Sequence, residues 1–388
     1  MKNIDKKIGV FFGGKNTEHD ISIITGQFII STLKKNNIEV IPVYISKEGK
    51  FYSNEKLSEL KFFKNDFEKE LKKMKEISFS KIEDKLVLKE KSFFGKKYFI
   101  DLAFPALHGQ FGEDGSIQGF FEFLNIPYAG AGIYTSSVSI DKALTKNFFK
   151  NNNIPITDFL IYKKKDFSER KEKFLNEINS KLTYPIFVKP TRQGSSIGIS
   201  KVDKFEDLEE ALDLAFFYDN EVLVENGVPN VKDLTCAVLS NGKEIISSEV
   251  QDSIFEDGFL DYEKKYLNDG GTQTGESKNI IIPAEINKEI EEKIKKYSKE
   301  IFKKLNGNGT MRIDFLLNEK SGELFANEIN TLPGTLYHHL WEKSGKEIDE
   351  VIDWMIDDGI KRYEENNKNS IDFKSNVLNE ANSMKLQN

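Results

Sequence analysis

The first apolar and polar positions of the chain predict a strand, a helix and a second strand. Residues 8–12, IGVFF, form a continuous apolar run that stops at two glycines, which is typical of a buried strand before a turn. Residues 17–35 follow with apolar positions at helical spacing and a capping signal at their start, and residues 38–46 form the next apolar strand. This strand–helix–strand order predicts a doubly wound, Rossmann-like α/β domain.

The rest of the pattern divides the chain into further regions that mix helices and strands. The N-terminal domain is predicted to span residues 1–138, with a charged and less regular stretch at 46–98 that is either an insertion or a solvated face. A second region is predicted at 139–217 and a third at 218–365. Residues 366–388 are polar and are expected to form a tail.

The composition is that of a globular protein, and it disfavours nucleic-acid and membrane partners. The 388 residues exceed what one small core needs, and 38% of them are hydrophobic. The net charge is −7 with lysines scattered among acids, so no basic stripe favours nucleic acid. No apolar run at the N-terminus is long enough for a signal peptide or a membrane span, and the single cysteine, Cys236, suits a reducing compartment. We expect a cytoplasmic protein without a nucleic-acid or membrane partner.

Two strands at residues 309–330 form a predicted hairpin with polar side chains on one face. With residues 319–323 as the loop, Asp314 and Glu328 would lie opposite each other, and like charges there repel unless a hard cation such as Mg²⁺ binds between them. The alternative is a solvated hairpin, but Ile313, Phe315 and Ile329 indicate that its other face is buried. The predicted opposing pairs are Leu316 with Ala326, Asp314 with Glu328 and Arg312 with Asn330.

A Gly/Ser-rich loop suggests a phosphate site. In VKPTRQGSSIG, Lys189 ends a strand before a loop whose backbone could approach phosphate closely, and the loop also holds Arg192, one of only four arginines. Lys142 is a second candidate phosphate ligand, and Glu225 and Asp233 could accept from a base or a ribose. Each of these has an ordinary alternative: a turn, a surface lysine or a strand-end carboxylate.

The polar, Gly-rich residues 252–277 predict a lid over bound substrate. Loops of this length inside compact domains are often functional, and Lys265 and Tyr266 would be carried over the substrate when it closes. His108 lies between a buried apolar run and Gly109, which makes it a candidate site residue, with a structural histidine as the alternative.

Seven segments together resemble the D-alanine–D-alanine ligase family of ATP-grasp enzymes, over roughly residues 8–360. They occur in the family's order and read FFGGKNTEHDIS, FPALHGQFGEDGSIQGFFEFLNIPYAGAG, SIDKALTK, VKPTRQGSSIGISKV, LDYEKKY, RIDFLL and NEINTLPG. The resemblance implies that the Rossmann-like domain is followed by a two-lobed ATP-grasp module, with 139–217 as its central lobe and 218–365 as its C-terminal lobe.

The resemblance implies that this chain catalyses the ligase reaction of the family. ATP phosphorylates the carboxylate of one D-alanine, and the amine of a second D-alanine displaces the phosphate, giving a dipeptide for peptidoglycan synthesis. Two Mg²⁺ ions, for which Mn²⁺ could substitute, would assist. The family is commonly homodimeric, so we expect a homodimer.

The resemblance also assigns roles to individual residues. Asp314, Glu328 and Asn330 would bind the metal ions. Glu18 would take the amino group of the first D-alanine, Arg312 and Gly334 would stabilise the oxyanion, and His108 would lie near the acceptor. Glu18, Ser195 and Tyr266 would form a hydrogen-bonded network that orders the lid. The residues expected to bind ATP are Lys142, Lys189, Ser195, Glu225, Asn226, Val228, Asp233 and Lys265.

Two departures from the family pattern affect the expected substrate contacts. The segment after Pro333-Gly334 is about four residues shorter than usual, so the acceptor pocket differs, and His338 or His339 could have moved into it. Asn226 stands where the family usually has Lys, which changes the expected adenine contact. Tyr266 favours an amine acceptor over D-lactate, because depsipeptide-forming relatives tend to lack this tyrosine.

The sequence alone is also compatible with other functions. Because the segment after Gly334 is shortened, a ligase that uses another acceptor, such as D-Ser or a larger amino acid, is one alternative function. A non-catalytic ATP-binding homologue is an alternative from a different class. An oxidoreductase is disfavoured, because the first turn lacks the G-x-G-x-x-G pattern of dinucleotide-binding domains.

Overall fold

The computed structural model describes residues 6–64, 66–254, 280–370, 373–375 and 377. Its strands are β1 (Ile8–Gly13), β2 (Val40–Ile45), β3 (Phe51–Tyr52), β4 (Ile77–Ile82), β5 (Lys85–Glu90), β6 (Lys97–Ile100), β7 (Leu102–Pro105), β8 (Phe159–Lys163), β9 (Ile186–Pro190), β10 (Ser200–Val202), β11 (Glu221–Asn226), β12 (Val231–Ser240), β13 (Ile245–Ser253), β14 (Ile280–Ile281), β15 (Thr310–Asn318) and β16 (Leu324–Asn330). Its helices are α1 (His19–Lys35), α2 (Leu60–Phe63), α3 (Phe67–Leu71), α4 (Ser116–Phe123), α5 (Ile133–Ile140), α6 (Lys142–Asn151), α7 (Lys164–Lys181), α8 (Leu208–Tyr218), α9 (Lys288–Lys304), α10 (His338–Lys343) and α11 (Ile348–Asn366).

The N-terminal sheet has parallel strands at its centre and is covered on both faces. Its order is β3-β2-β1-β7, with β1 parallel to both β2 and β7. Alternate residues of β1 point to opposite faces, so Val10 packs in a cluster with Ile30 of α1 while Phe11 packs with Phe121 of α4. Apolar side chains on both faces are what a parallel sheet requires, and the predicted doubly wound α/β fold is confirmed.

The charged stretch at 46–98 is an ordered part of this domain. Strands β4, β5 and β6 form an antiparallel three-stranded sheet, although this stretch was expected to be less regular. One face of that sheet places Leu86 and Leu88 in the same buried cluster as Phe11. Its lysines and acids lie mostly on the solvent side, which fits the expectation of a solvated face.

A second antiparallel sheet, with the order β10-β9-β11-β8, forms the central lobe. Its inner face packs against α7 and α8 through residues such as Val188, Val224 and Leu212. The neighbouring positions Lys189 and Glu225 point to the other face because side chains alternate along a strand. That face is turned toward the C-terminal sheet.

The C-terminal sheet carries the predicted hairpin at its edge. Its order is β14-β13-β12-β15-β16, all antiparallel, and α9 covers one face. Ile313 and Phe315 are fully buried under α9 and Ile329 is also buried, as the pattern predicted. The alternate positions of β15, Arg312 and Asp314, therefore face the central lobe.

Two predicted boundaries need correction. The boundary placed between residues 217 and 218 separates β11 from the sheet to which it belongs, because β11 pairs with both β9 and β8. The lid was predicted to begin at residue 252, but Asp252 and Ser253 are paired residues of β13. Residues 255–277 of the predicted lid, including Lys265 and Tyr266, lie outside the described residues. In the described part of the chain, every helix is too short or too polar to span a membrane.

Candidate active site

The hairpin of β15 and β16 has the predicted register where the polar residues lie. Arg312 pairs with Asn330 and Asp314 pairs with Glu328. Beyond Asp314 the prediction was wrong by one residue, because a bulge in β16 moves Ala326 opposite Phe315 rather than Leu316. A bulge adds a residue to one strand, and here it lies immediately after the paired carboxylates.

The polar residues of the hairpin are tied together by hydrogen bonds. Arg312 donates to both oxygens of Asp314, with Nε 2.9 Å from Oδ1 and Nη2 2.8 Å from Oδ2. Thr235 Oγ1 donates to Asp314 Oδ1 at 2.9 Å, and Asn330 Nδ2 donates to Oδ2 at 3.2 Å. Arg312 Nη2 is also 3.7 Å from Glu328 Oε1. Burial raises the pKa of Asp314, against the effect of Arg312, and Glu328 raises it further.

This donor set suits a hard divalent cation. Mg²⁺ is usually held by one or two carboxylates together with substrate phosphates and water. Asp314, Glu328 and Asn330 supply two carboxylates and an amide, and Asn330 Nδ2 lies 3.2 Å from Asp314 Oδ2 and 3.4 Å from Glu328 Oε1. Among the described residues, no group of three or more His, Cys, Asp or Glu side chains is placed to hold a metal ion by itself, so a metal ion here would need ligands from the substrate.

A buried acid between two lysines lies on the facing sheet. Glu225 has Lys146 Nζ at 2.6 Å, Lys189 Nζ at 2.5 Å and Thr157 Oγ1 at 2.6 Å. Burial disfavours the charged forms of Glu225, Lys189 and Lys146. The lysines nevertheless lower the pKa of Glu225, and Glu225 raises that of Lys189, whereas burial lowers the pKa of Lys146. Lys142 Nζ donates to the Gln193 carbonyl at 2.7 Å and lies 3.9 Å from Glu328 Oε2.

Lys146 was missed by the sequence analysis. A signal was present, since it follows Lys142 by four residues and α6 therefore presents both on one side. Asp141 caps this helix by accepting from the backbone N–H groups of Ala143 and Leu144, which fixes where the two lysines point. Arg192 was noted as an arginine in the Gly/Ser loop. It pairs instead with Asp219 and lines neither of the two cavities described below.

A large cavity lies between the central and C-terminal sheets. Its volume is about 700 Å³, within the range typical of ligand pockets. The candidate residues that line it are Lys189, Glu225, Asn226, Val228, Asp233, Arg312, Asp314 and Glu328. Asn226 Oδ1 accepts from the backbone N–H of Thr183, so its side chain supports the strand end.

A second, much smaller cavity of about 60 Å³ opens next to the first. The candidate residues that line it are Glu18, His108, Lys142, Ser195, Arg312, Glu328, Asn330 and Gly334. Arg312 and Glu328 belong to both linings. Apart from Lys265 and Tyr266, the structure therefore brings every residue to which the resemblance assigned a role to one of two adjoining cavities.

Glu18 links the N-terminal domain to the Gly/Ser loop. It lies just before α1, and its side chain does not cap that helix. It accepts a hydrogen bond from Ser195 Oγ, which agrees with the predicted contact between these two residues. A Cβ at Gly194 or Gly109 would lie 2.5 or 2.6 Å from Glu18 Oε2, so a side chain at either position would displace the Glu18 carboxylate. Ser195 itself has a positive φ of 52°, an uncommon conformation that turns its hydroxyl toward Glu18.

Glu113 is a second acid in the lining of the small cavity, partly shielded from solvent, and it was not among the predicted site residues. Its oxygens accept from the backbone N–H groups of Gly109, at 2.8 Å, and Leu332, at 3.1 Å. Burial, reinforced by the charge of Glu18, raises the pKa of Glu113 to about 8. The GEDG segment quoted above contained it, but nothing local showed that it would line a cavity.

The short segment after Gly334 folds as a left-handed turn. Thr335, Leu336 and Tyr337 have φ values of 45°, 56° and 54°. The turn places the ring of Tyr337 5.0 Å from the Arg312 guanidinium. Behind it, Gln251 Nε2 donates to Tyr337 Oη at 3.3 Å, and Gln251 Oε1 is 2.9 Å from His339 Nε2.

The histidines of this region do not occupy the acceptor pocket as suggested. His339 is buried against Gln251, and burial lowers its pKa to about 4, while His338 packs on Phe28. Neither lines the small cavity. His108 does, and its Nε2 lies 2.7 Å from Thr25 Oγ1, which also accepts from the backbone N–H of Thr335 at 3.2 Å.

Comparisons with known proteins agree with this geometry. The family described as D-ala D-ala ligase N-terminus matches residues 7–131, and its C-terminus counterpart matches residues 148–357. The chain is 41% identical to the D-alanine–D-alanine ligase of Thermosipho melanesiensis over 373 residues, covering 96% of this chain and 98% of that one. The corresponding ligase of Thermosipho africanus is 40% identical, with the same coverage.

Solved structures give the same assignment. The D-alanine–D-alanine ligase from Coxiella burnetii aligns with a TM-score of 0.76 at 26% identity, covering 94% of this chain and 96% of that one. The VanG D-Ala:D-Ser ligase from Enterococcus faecalis aligns with a TM-score of 0.75 at 31% identity, covering 92% and 99%. The chain therefore belongs to the D-alanine–D-alanine ligase family.

Proposed function

We propose that this chain uses ATP and Mg²⁺ to join two D-alanine molecules through an acylphosphate, supplying a dipeptide for peptidoglycan synthesis. One observation carries the proposal: a nucleotide-sized cavity and an amino-acid-sized cavity meet at Arg312 and Glu328. A phosphoryl group bound at that junction can be reached from both sides. Family membership supports the same chemistry.

The large cavity is where ATP would bind. Lys189 and Lys142 direct ammonium groups toward the junction, where the phosphates would lie. Glu225 favours the charged form of Lys189 and holds its side chain in place. Glu225 would also contact the nucleoside of ATP. Asp233, Asn226 and Val228 line the part of the cavity assigned to the base and ribose.

Asp314, Glu328 and Asn330 would hold the metal ions. When bound, Mg²⁺ would neutralise phosphate charge and orient the transferring group. The opposed carboxylates of Asp314 and Glu328 supply the negative charge that attracts such an ion, and Arg312 keeps one of them oriented.

The small cavity would hold the first D-alanine. Glu18 would accept the substrate ammonium, with its carboxylate directed toward the junction. A carboxylate oxygen attacks the γ-phosphorus of ATP, the bond to ADP breaks, and an acylphosphate forms. The amine of the second D-alanine then attacks the acyl carbon and loses a proton to solvent. Arg312 and the backbone at Gly334 would stabilise the oxyanion until the bond to phosphate breaks.

Lys265 and Tyr266 would complete the site from the predicted lid, with Tyr266 joining Glu18 and Ser195. The observed bond between Ser195 and Glu18 supports two members of that network. We further propose that the enzyme works in the cytoplasm, where ATP is available, and as a homodimer. Light scattering would measure the mass of the assembly.

A different acceptor is the second candidate function. The segment after Gly334 is short and forms an unusual turn, and one of the similar structures is a D-Ala:D-Ser ligase. The ratio kcat/KM for D-alanine, D-serine and larger D-amino acids as acceptors separates the two. A preference for D-alanine of about tenfold or more excludes the second candidate.

The direct test is phosphate release from ATP with Mg²⁺ and D-alanine, with the product identified by mass. Phosphate together with the D-Ala–D-Ala dipeptide supports the proposal. Phosphate without dipeptide points to hydrolysis of an acylphosphate and to another acceptor. ATP binding without turnover under any amino acid supports the non-catalytic alternative.

A further inference from the structure

The turn between β5 and β6 presents two phenylalanines to solvent. The backbone N–H of Gly95 donates to the carbonyl of Ser92 at 3.1 Å, which closes a four-residue turn. Phe93 and Phe94 are its central residues, and each is 91% exposed. Their rings contact each other edge to face, with centroids 4.9 Å apart. We call residues 92–95 the aromatic tip.

Turn formation does not explain these side chains. The central positions of tight turns favour Gly, Pro, Asn, Asp or Ser, each for a backbone reason that phenylalanine does not share. Fold stability does not explain them either, because rings that remain almost fully exposed remove little apolar surface from water. An adjacent pair of exposed aromatic rings on a turn is instead typical of a contact surface.

The segment that carries the aromatic tip is rich in lysine. Residues 85–97 contain five lysines and one acid, Glu90, although Lys85 and Lys91 form ion pairs with Asp101 and Glu76 outside the segment. The lysines are Lys85, Lys89, Lys91, Lys96 and Lys97. Lys89 and Lys97 lie directly opposite each other across the β5–β6 pair, both exposed, although like charges at such positions repel.

We propose that the aromatic tip docks this protein on the surface of an anionic phospholipid membrane. The two exposed rings would enter the boundary between headgroups and acyl chains, while Lys89 and Lys97 would lie at the level of the headgroup phosphates. Anionic lipids would relieve the repulsion between these two lysines. The sequence alone predicts no membrane partner, but docking of this kind needs no spanning helix.

Vesicle sedimentation tests the proposal directly. Purified full-length protein is mixed with vesicles of phosphatidylglycerol and phosphatidylcholine in equal parts, or of phosphatidylcholine alone. We expect binding to the mixed vesicles that weakens as salt is raised, and a loss of about tenfold or more in affinity for F93S/F94S. The charge-reversal variant K89E/K97E should lose binding as well.

Matched controls separate docking from folding and from self-association. Phe217, in α8 of the central lobe, is also exposed, and F217S should bind the mixed vesicles like the unmodified chain. The tip variants should keep their ligase activity, since none of the changed residues lines either cavity. Vesicle binding is measured without substrates, so its outcome is independent of the proposed function.

Three results would overturn the proposal. The first is no sedimentation with mixed vesicles above the vesicle-free control. The second is equal binding by F93S/F94S and the unmodified chain. The third is a tip-dependent increase in mass by light scattering without lipid, which would assign the aromatic tip to contact between copies of this chain.

Discussion

Lys146 Nζ lies 2.6 Å from Glu225 Oε2 in a setting where both side chains are almost completely buried. Glu225 also pairs with Lys189, which lines the large cavity, whereas Lys146 does not. One carboxylate therefore holds both lysines in place. A buried charge without its partner is strongly destabilising. This pair therefore couples the stability of the central lobe to the shape of the proposed ATP site.

Replacing Lys146 tests that coupling. K146A should lower the free energy of unfolding by about 3–5 kcal/mol, because it leaves Glu225 with one of its two cationic partners and opens a space beside it. The matched control is K150A, one turn along α6, where the lysine is exposed and the expected change is within about 0.5 kcal/mol. Urea unfolding measures both. Equal stability of the two variants would show that the pair contributes little.

Glu328 should be essential for turnover and dispensable for folding. It is partly exposed at the junction of the two cavities, so E328A removes a proposed metal ligand without opening the core. We expect a fall in kcat of about 100-fold or more with little change in the thermal midpoint. The control is E323A in the loop of the same hairpin. Near-normal activity in a well-folded E328A protein would refute the metal assignment.

Tyr337 should act by holding Arg312 with the face of its ring. Y337L removes the aromatic face, and a cation–π contact of this kind is worth about 0.5–2 kcal/mol, so kcat should fall about two- to thirtyfold with a smaller change in KM. Y337F keeps the face and loses the hydroxyl that accepts from Gln251, so its activity should stay within about threefold. Steady-state kinetics of both variants measures the effect. Equal losses in the two would assign the effect to the hydroxyl.

Glu113 should make stability fall as the pH rises. Its pKa is raised from 4.5 to about 8, so the folded protein holds a proton that the unfolded chain releases between these values. The stabilisation is complete below pH 4.5 and is lost as the pH rises through about 8. E113Q mimics the protonated form and should lack this loss.

Denaturation of the two proteins across that pH range provides the measurement. The stability of E113Q relative to the unmodified chain should increase with pH, by at most about 1.4 kcal/mol per pH unit. A difference that is independent of pH, or one that decreases, would show that Glu113 is ionised in the folded protein.

The sequence predicted local features of the site better than long-range ones. The pairing of Asp314 with Glu328 followed from strand alternation and a short loop, and both are local properties. The bulge after that pair was not predictable, because nothing in the residues of β16 distinguishes a bulged strand from a regular one. The α/β fold and the general positions of the regions followed from apolar periodicity.

Partners far apart in the chain were the main source of error. Local sequence gave no sign that Ser195, 177 residues away, is a partner of Glu18, and only the family resemblance predicted that contact. Glu225 looked like a free strand-end acid, yet Lys146 and Lys189 both reach it. The boundary at 217 failed for the same reason, since the pairing of β11 with β8 and β9 is not visible in local composition.

Transfer of oxygen from substrate to phosphate tests the central claim most directly. The claim is that a D-alanine carboxylate is phosphorylated where the two cavities meet, before the peptide bond forms. D-Alanine carrying a heavy oxygen isotope in its carboxylate is turned over with unlabelled ATP, and the released phosphate is analysed by mass. The account predicts one labelled oxygen in each phosphate formed with dipeptide. Dipeptide formation with unlabelled phosphate would contradict it.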